Sequence, residues 1–390
     1  MSKHAKLSPS AAHRWMSCTA APTLEARYED QSSVYAAEGT EAHRLAELCA
    51  RRATGLMTEA KYKKAVKDFE AGAEFYNQEM LEAAEDYGAY IKEVYLKVLD
   101  TCPDPVVAFE ERLDLTEWIP EGFGTADCII IAEPDMYVID FKYGKGVAVE
   151  AQGNPQMEIY ALGAWSEYGF FYDIKTVNMT IVQPRLGGIS ETSIEREALV
   201  AWGNVGIKPK AKEAYEGPGT FRPSEEACKF CKARGDCKAR ADYYVNLFDD
   251  NEPLGDVMTL EQIGELLELS KGMSAWLKDL EERAYTLLME GTPVPGWKLV
   301  AGRSTRTWAD EEAVAKVLKT KGKLKASEIY TKKLNGITAI EKLLGKNKFA
   351  EILPLGELVI KPEGKPTLAP ADDKRPEIKP ADEVVKAFDE

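Results

Sequence analysis

Apolar positions recur every three to four residues over 34–52 (VYAAEGTEAHRLAELCARR) and again over 61–99, the spacing of helices with one face turned to a core. The period then changes. Val106 to Leu113, Gly124 to Ala132 and Met136 to Phe141 are β-prone runs separated by turn material, including Glu133-Pro134-Asp135. They predict three consecutive antiparallel strands, the last two joined by a tight hairpin. Helical spacing returns over Gln152 to Tyr168, Ile174 to Pro184 alternates like a further strand, and Ile194 to Tyr215 reads as helix again. Helix, three strands, helix, strand, helix implies a layered α/β domain with helices on a central sheet, closing near residue 250.

Beyond that point the pattern predicts a long amphipathic helix or helix pair over Thr259 to Met289 and one or two short strands over Gly296 to Trp308. Residues 316–348 hold ten lysines against Glu328 and Glu341, a local balance of 10 − 2 = +8. From Lys361 the chain is rich in Pro, Lys, Asp and Glu, as a disordered tail would be. The expected organisation is a main domain over 1–250, a mainly helical extension over 251–360 and a tail over 361–390, without internal repeats.

Composition narrows the picture in three places. The formal net charge of -15 argues against a protein coated in nucleic acid, since phosphate binding is driven by Lys and Arg, but it leaves room for a local basic groove. No apolar run approaches the roughly 20 residues that span a bilayer, and Met1 to His4 do not open a signal peptide. No membrane partner is expected, and the cytoplasm is the expected compartment. The seven cysteines are an odd number, three of them within ten residues, which suits ligation in a reducing compartment better than a disulfide framework. Cys49, Cys102 and Cys128 read as ordinary buried thiols.

The chemistry is concentrated in GTADCIIIAEPDMYVIDFKYGKG. With a period of two, Asp140 and Lys142 share a face of their strand, and the hairpin brings Asp127 beside them. Two carboxylates and an ammonium at one sheet edge are what metal-assisted phosphodiester hydrolysis requires: oxygens for a hard divalent cation, and a cation to orient water or meet charge on phosphorus. A D-x-K tripeptide alone is also a common solvated strand end. Here it follows the apolar run Tyr137, Val138, Ile139, where a carboxylate is costly without a partner. Gly144 and Gly146 then allow close approach to the backbone. Gly39 and His43 lie on the early helix, and Gln156 and Tyr160 lie one turn apart on the helix after the strand. Cys228-x2-Cys231-x5-Cys237, with Cys18 at the other end of the domain, places soft thiolates at a spacing that fits zinc or an iron–sulfur cluster without choosing between them.

Taken together these residues resemble the RecB-like branch of the PD-(D/E)XK nucleases, particularly its iron–sulfur members: CRISPR-associated helper nucleases, AddAB-type nuclease domains and phage-encoded relatives. The match runs over about residues 7–245, in order: Cys18, Gly39 with His43, Gly124 with Asp127, Asp140 with Lys142, Gln156 with Tyr160, and Cys228, Cys231 and Cys237. The resemblance implies a restriction-endonuclease-like core with a central mixed sheet flanked by helices. It implies Mg or Mn bound by His43, Asp127, Asp140 and the Phe141 carbonyl, a catalytic Lys142, and Gln156 and Tyr160 ordering the site or DNA. It further implies a [4Fe–4S] cluster on the four cysteines and a DNA exonuclease of phage or bacterial replication or recombination, with a recombinase or single-strand-binding protein as partner. Tyr143 and Tyr160 are candidates to stack bases of single-stranded or end-frayed DNA. Two other readings stand beside it: a catalytically silent or partner-dependent DNA-end-binding protein, and a zinc-stabilised binding protein working through its basic 316–348 segment.

Overall fold

The computed structural model describes residues 5–29, 34–246 and 260–298. The chain divides into two compact units, Met1–Pro295 and Gly296–Glu390. The expected strands over 296–308 (apart from 296–298), the basic 316–348 segment and the tail lie outside the described residues.

The first unit opens with helices α1 (Ala12–Ser17) and α2 (Ala21–Glu25), then α3 (Val34–Ala53), α4 (Glu59–Gly72) and α5 (Gln78–Leu99). Strands β1 (Val106–Asp114), β2 (Phe123–Ala132) and β3 (Asp135–Phe141) follow, then α6 (Pro155–Tyr168), β4 (Thr176–Gln183) and β5 (Gly188–Glu195). Helices α7 (Arg196–Trp202), α8 (Lys208–Glu216), α9 (Glu225–Lys229), α10 (Lys238–Asn246) and α11 (Leu260–Met289) complete the described elements.

The strands form one five-stranded sheet in the order β1-β2-β3-β4-β5, antiparallel except for the parallel β3–β4 pair that α6 bridges. The fold is α/β, a mixed sheet flanked by helices with a helical C-terminal region, and the three expected antiparallel strands are present within a residue of their predicted ends. The stretch read as continuous helix over 61–99 is two helices. The Asn77 side chain accepts the Met80 N–H (3.0 Å) to start α5, and the Glu41 carboxylate takes the N–H groups of Glu74 and Phe75 in the break. Asn154 caps α6 in the same way, with Pro155 in its first turn. The helix expected from Ile194 begins at Arg196, because the polar, alternately exposed segment before it pairs with β4 as the edge strand β5. Such a strand has no apolar face to announce it.

Two cores sit on opposite faces of the sheet. Trp15, Ile129, Val138, Met157, Leu162 and Met179 belong to the one under α6, and Leu45, Met80, Tyr87, Ile91, Ile130 and Phe141 to the one under α3 and α5. Side chains alternate between these cores along β1 and β2 until Glu110 and Asp127, where the alternation slips. Cys128 and Ile130 face α3 and α5, whereas Ala126, which a period of two would place beside them, faces α6. On β1, Phe109 and Leu113 split likewise. The cause lies in Glu110, whose φ of 51° puts a non-glycine residue in the left-handed region and turns the strand over.

Candidate metal and active site

The sheet opens where its faces exchange. The β1–β2 ladder pairs Phe109 with Cys128 and Glu111 with Ala126 but skips Glu110 and Asp127 between them. The β2–β3 ladder ends at Cys128–Ile139, so Asp127 and Asp140 are the first residues beyond it. With the ladder open, the Phe141 N–H is free to donate to Asp127 Oδ2 at 2.7 Å. The other carboxylate oxygen reaches His43 Nδ1 on α3 at 3.1 Å.

Glu110 completes this group. One ligand atom from each of His43, Glu110 and Asp127 lies within 4.8 Å of the others, the only such cluster among the described residues. Sequence reading missed Glu110, which sits in an expected strand as an unremarkable charge. The usable signal was register: once β1 and β2 are paired, Glu110 falls opposite Asp127.

Asp140 and Lys142 point to the α6 face, as a period of two requires. Asp140 is buried, and Lys142 Nζ approaches its Oδ2 at 3.0 Å and donates to Gln156 Oε1 at 3.1 Å. Gln156 Nε2 in turn donates to Asp140 Oδ1 at 3.1 Å. Beyond the Lys142 ammonium, Asp140 Oδ2 has no other partner. The cluster of His43, Glu110 and Asp127, with the Asp140 carboxylate near it, is a donor set of hard oxygens and one imidazole, which fits a divalent Mg or Mn ion.

Electrostatics within the group are strongly coupled. Burial opposes charge on His43, but the Asp127 carboxylate outweighs it and lifts the imidazole to about 9. Burial raises Asp127, yet His43 and the Phe141 N–H hold it below the usual carboxylate range. Asp140 goes the other way: burial and Asp127 raise it against the pull of Lys142. Burial would lower Lys142, but Asp140 and Asp127 keep it above its ordinary value, so it stays an ammonium. Glu110 is exposed, yet lost hydration among its neighbours, then Asp127, pushes its carboxyl up to about 7.

Tyr160 is buried one turn beyond Gln156, and burial raises its hydroxyl. Its ring explains the glycine three residues before Asp127: a Cβ on Gly124 would lie 2.8 Å from Tyr160 Cε1 and 2.9 Å from Pro9 Cγ. Gly39 has open space around it and no such requirement. Tyr143 is buried beyond Lys142 with Arg185 over its ring at 4.1 Å. Its ring faces the protein rather than a groove.

The cysteines form a second constellation. Cys18 follows α1, Cys228 lies in α9, and these two with Cys231 and Cys237 line one small cavity beside Leu24 and Phe221. The two ends of the domain are laced together there. Thr220 N–H donates to Thr19 Oγ1 (2.8 Å), Arg14 pairs with Glu25 (3.0 Å) and donates to the Phe230 carbonyl (3.1 Å), and Glu25 accepts the Lys232 N–H (2.8 Å). Burial raises the Cys228 thiol, and burial with nearby Glu25 pushes Cys231 up to about 12, so a cation is what would make these groups thiolates. Of the three remaining cysteines, Cys49 and Cys128 are buried, while Cys102, expected to be buried, is only half-buried because it lies just past the end of α5.

An α/β protein with a carboxylate, imidazole and ammonium group at an opened sheet rung and a four-cysteine clip is the class that fold and site define. The chain belongs to the family described as "Protein of unknown function (DUF2800)", whose model matches residues 4–376. It also has a slight similarity to a solved chain described as "Crystal structure of SSO0001", at 17% identity over 50% of this chain and 85% of that one, with a TM-score of 0.20. No helix among the described residues is long and apolar enough to cross a membrane.

Proposed function

We propose that this chain is a Mg- or Mn-dependent deoxyribonuclease of the RecB-like PD-(D/E)XK kind, an exonuclease acting on single-stranded or open-ended DNA in phage or bacterial replication or recombination. The observation that carries the reading is the open rung, where His43, Glu110 and Asp127 gather and Asp140 lies next to them, bound to Lys142 and Gln156.

His43, Asp127, Asp140 and Glu110 would hold the cation, with the Phe141 carbonyl as the resemblance implies. Once bound, it would polarise a phosphoryl oxygen and lower the pKa of an attacking water. The protein's own part follows from the geometry. Lys142 Nζ, held between Asp140 and Gln156, would serve as a donor toward water or the negative charge developing on phosphorus. Gln156 fixes it, bonding both the ammonium and Asp140. The low value of Asp127 keeps one carboxylate ionised for the cation at neutral pH.

Cys18, Cys228, Cys231 and Cys237, which line one cavity, would hold the [4Fe–4S] cluster that the resemblance implies. A recombinase or single-strand-binding protein, in the cytoplasm, is the partner consistent with this activity.

The test is degradation of end-labelled single- and double-stranded DNA by anaerobically purified protein with Mn or Mg, beside Lys142→Ala. We expect metal-dependent degradation that the substitution reduces by about 100-fold or more. If folded wild-type protein cuts neither substrate, a DNA-end-binding role takes the place of catalysis.

A further inference from the structure

Arg185, in the turn Pro184–Leu186 after β4, has no task in the chemistry above, yet it touches three segments that frame it. Its side chain is 13% exposed. The guanidinium donates to the Tyr143 carbonyl (3.3 Å), pairs with Glu38 on α3 (3.5 Å) and pairs with Glu79 in the first turn of α5 (3.2 Å). Its face lies over the Tyr143 ring at 4.1 Å. Lys145 shares Glu79 at 2.6 Å.

Each tied segment leads directly to a site residue. Tyr143 follows Lys142, whose N–H is bound by the Val182 carbonyl (2.9 Å) three residues before Arg185. Glu38 precedes His43 by five residues on the same helix. Glu79 starts α5, whose Tyr87 hydroxyl donates to the Ile139 carbonyl (3.3 Å) next to Asp140. The Phe141 ring makes an apolar joint among the same elements, against His43 on α3 (5.5 Å) and Tyr87 on α5 (5.1 Å), and Arg185 adds the polar one.

We propose that Arg185 is a positioning residue: it fixes the helix carrying His43 against the strand carrying Asp140 and Lys142, and so sets the width of the cation site. The inference rests on the reading of that site given above. Two carboxylates already take its charge and little of it reaches solvent, which separates it from a substrate-phosphate contact. A planar fork can serve a carbonyl and two carboxylates at once, and a lysine ammonium on its flexible stem cannot hold the same three in place.

The experiment measures manganese binding by calorimetry without nucleic acid, and kcat and KM on single-stranded DNA, for full-length protein bearing Arg185→Ala or Arg185→Lys. Manganese binding should weaken and kcat should fall, each about tenfold, with KM within about twofold and no rescue by lysine. Glu38→Gln, which severs only the tie to α3, should move both quantities the same way and decides the matter if the Arg185 variants do not fold. A raised KM with unchanged kcat would make Arg185 a substrate contact, and unchanged manganese binding would make it structural alone; either overturns the proposal. Wild-type protein that binds no manganese overturns the reading of the site itself, whereas binding without DNA cleavage leaves the calorimetric comparison to decide.

Discussion

Gly124 and Glu158 show how single positions on and behind the site can be tested. Because a Cβ at Gly124 would press on both Tyr160 and Pro9, Gly124→Ala must displace one of them, and overpacking of this kind costs about 1–3 kcal/mol. Urea unfolding should show that loss, and a variant as stable as wild type would mean the contact relaxes freely. Glu158, in the first turn of α6, is half-buried, and burial pushes its carboxyl from the ordinary 4.5 to about 7. Its folded pKa is raised, so the folded state holds the proton more tightly. The associated stability is fully present below about pH 4.5 and is lost as pH rises through about 7. Glu158→Gln should therefore gain on wild type across that window, by about 1–2 kcal/mol after allowance for solvent screening, and melting curves at pH 5 and pH 8 measure it. An equal difference at both pH values would show that Glu158 does not titrate in the window.

At the level of elements, α11 is held by the cysteine-bearing segment. Asp279 pairs with Arg234 (2.8 Å) and with the nearly buried Arg240 (2.5 Å), Arg283 pairs with Asp236 (2.7 Å), and Trp276 stacks on Tyr244 at 5.5 Å. All of these partners lie within residues 234–244, next to Cys231 and Cys237. Asp279→Ala leaves the Arg240 charge buried with less to balance it, a loss on the order of 3 kcal/mol. Hydrogen exchange along α11 should accelerate while that of β2 and β3 stays slow. Unchanged exchange in α11 would show that its stacking and remaining ion pairs suffice. The same element explains why sequence places a boundary near residue 250: the segment from 260 is amphipathic by itself, and its ion pairs and the Trp276–Tyr244 stack join it to residues 234–244 of the first unit, which runs to Pro295.

For the whole molecule, local pattern fixed a good deal. β-prone apolar runs bounded by turn residues located β1, β2 and β3, alternation located β4, and 3.6-residue spacing located α3, α6 and α11. Residue types at set spacings singled out His43, Asp127, Asp140, Lys142, Gln156 and the four cysteines before any coordinates. β5 was illegible because an exposed edge strand buries too little to leave a pattern. Glu110 and Arg185 were illegible for a different reason: each matters through residues distant in sequence, Asp127 across a strand pair and Glu38, Glu79 and Tyr143 across three segments. Sequence by itself determined which chemical groups are available and which elements carry them. Tertiary structure alone decided that the sheet turns over at Glu110 and opens at Asp127 and Asp140, and that the two ends of the domain meet in one cavity at Cys18, Cys228, Cys231 and Cys237, since register, backbone conformation and distance depend on how all the elements pack at once.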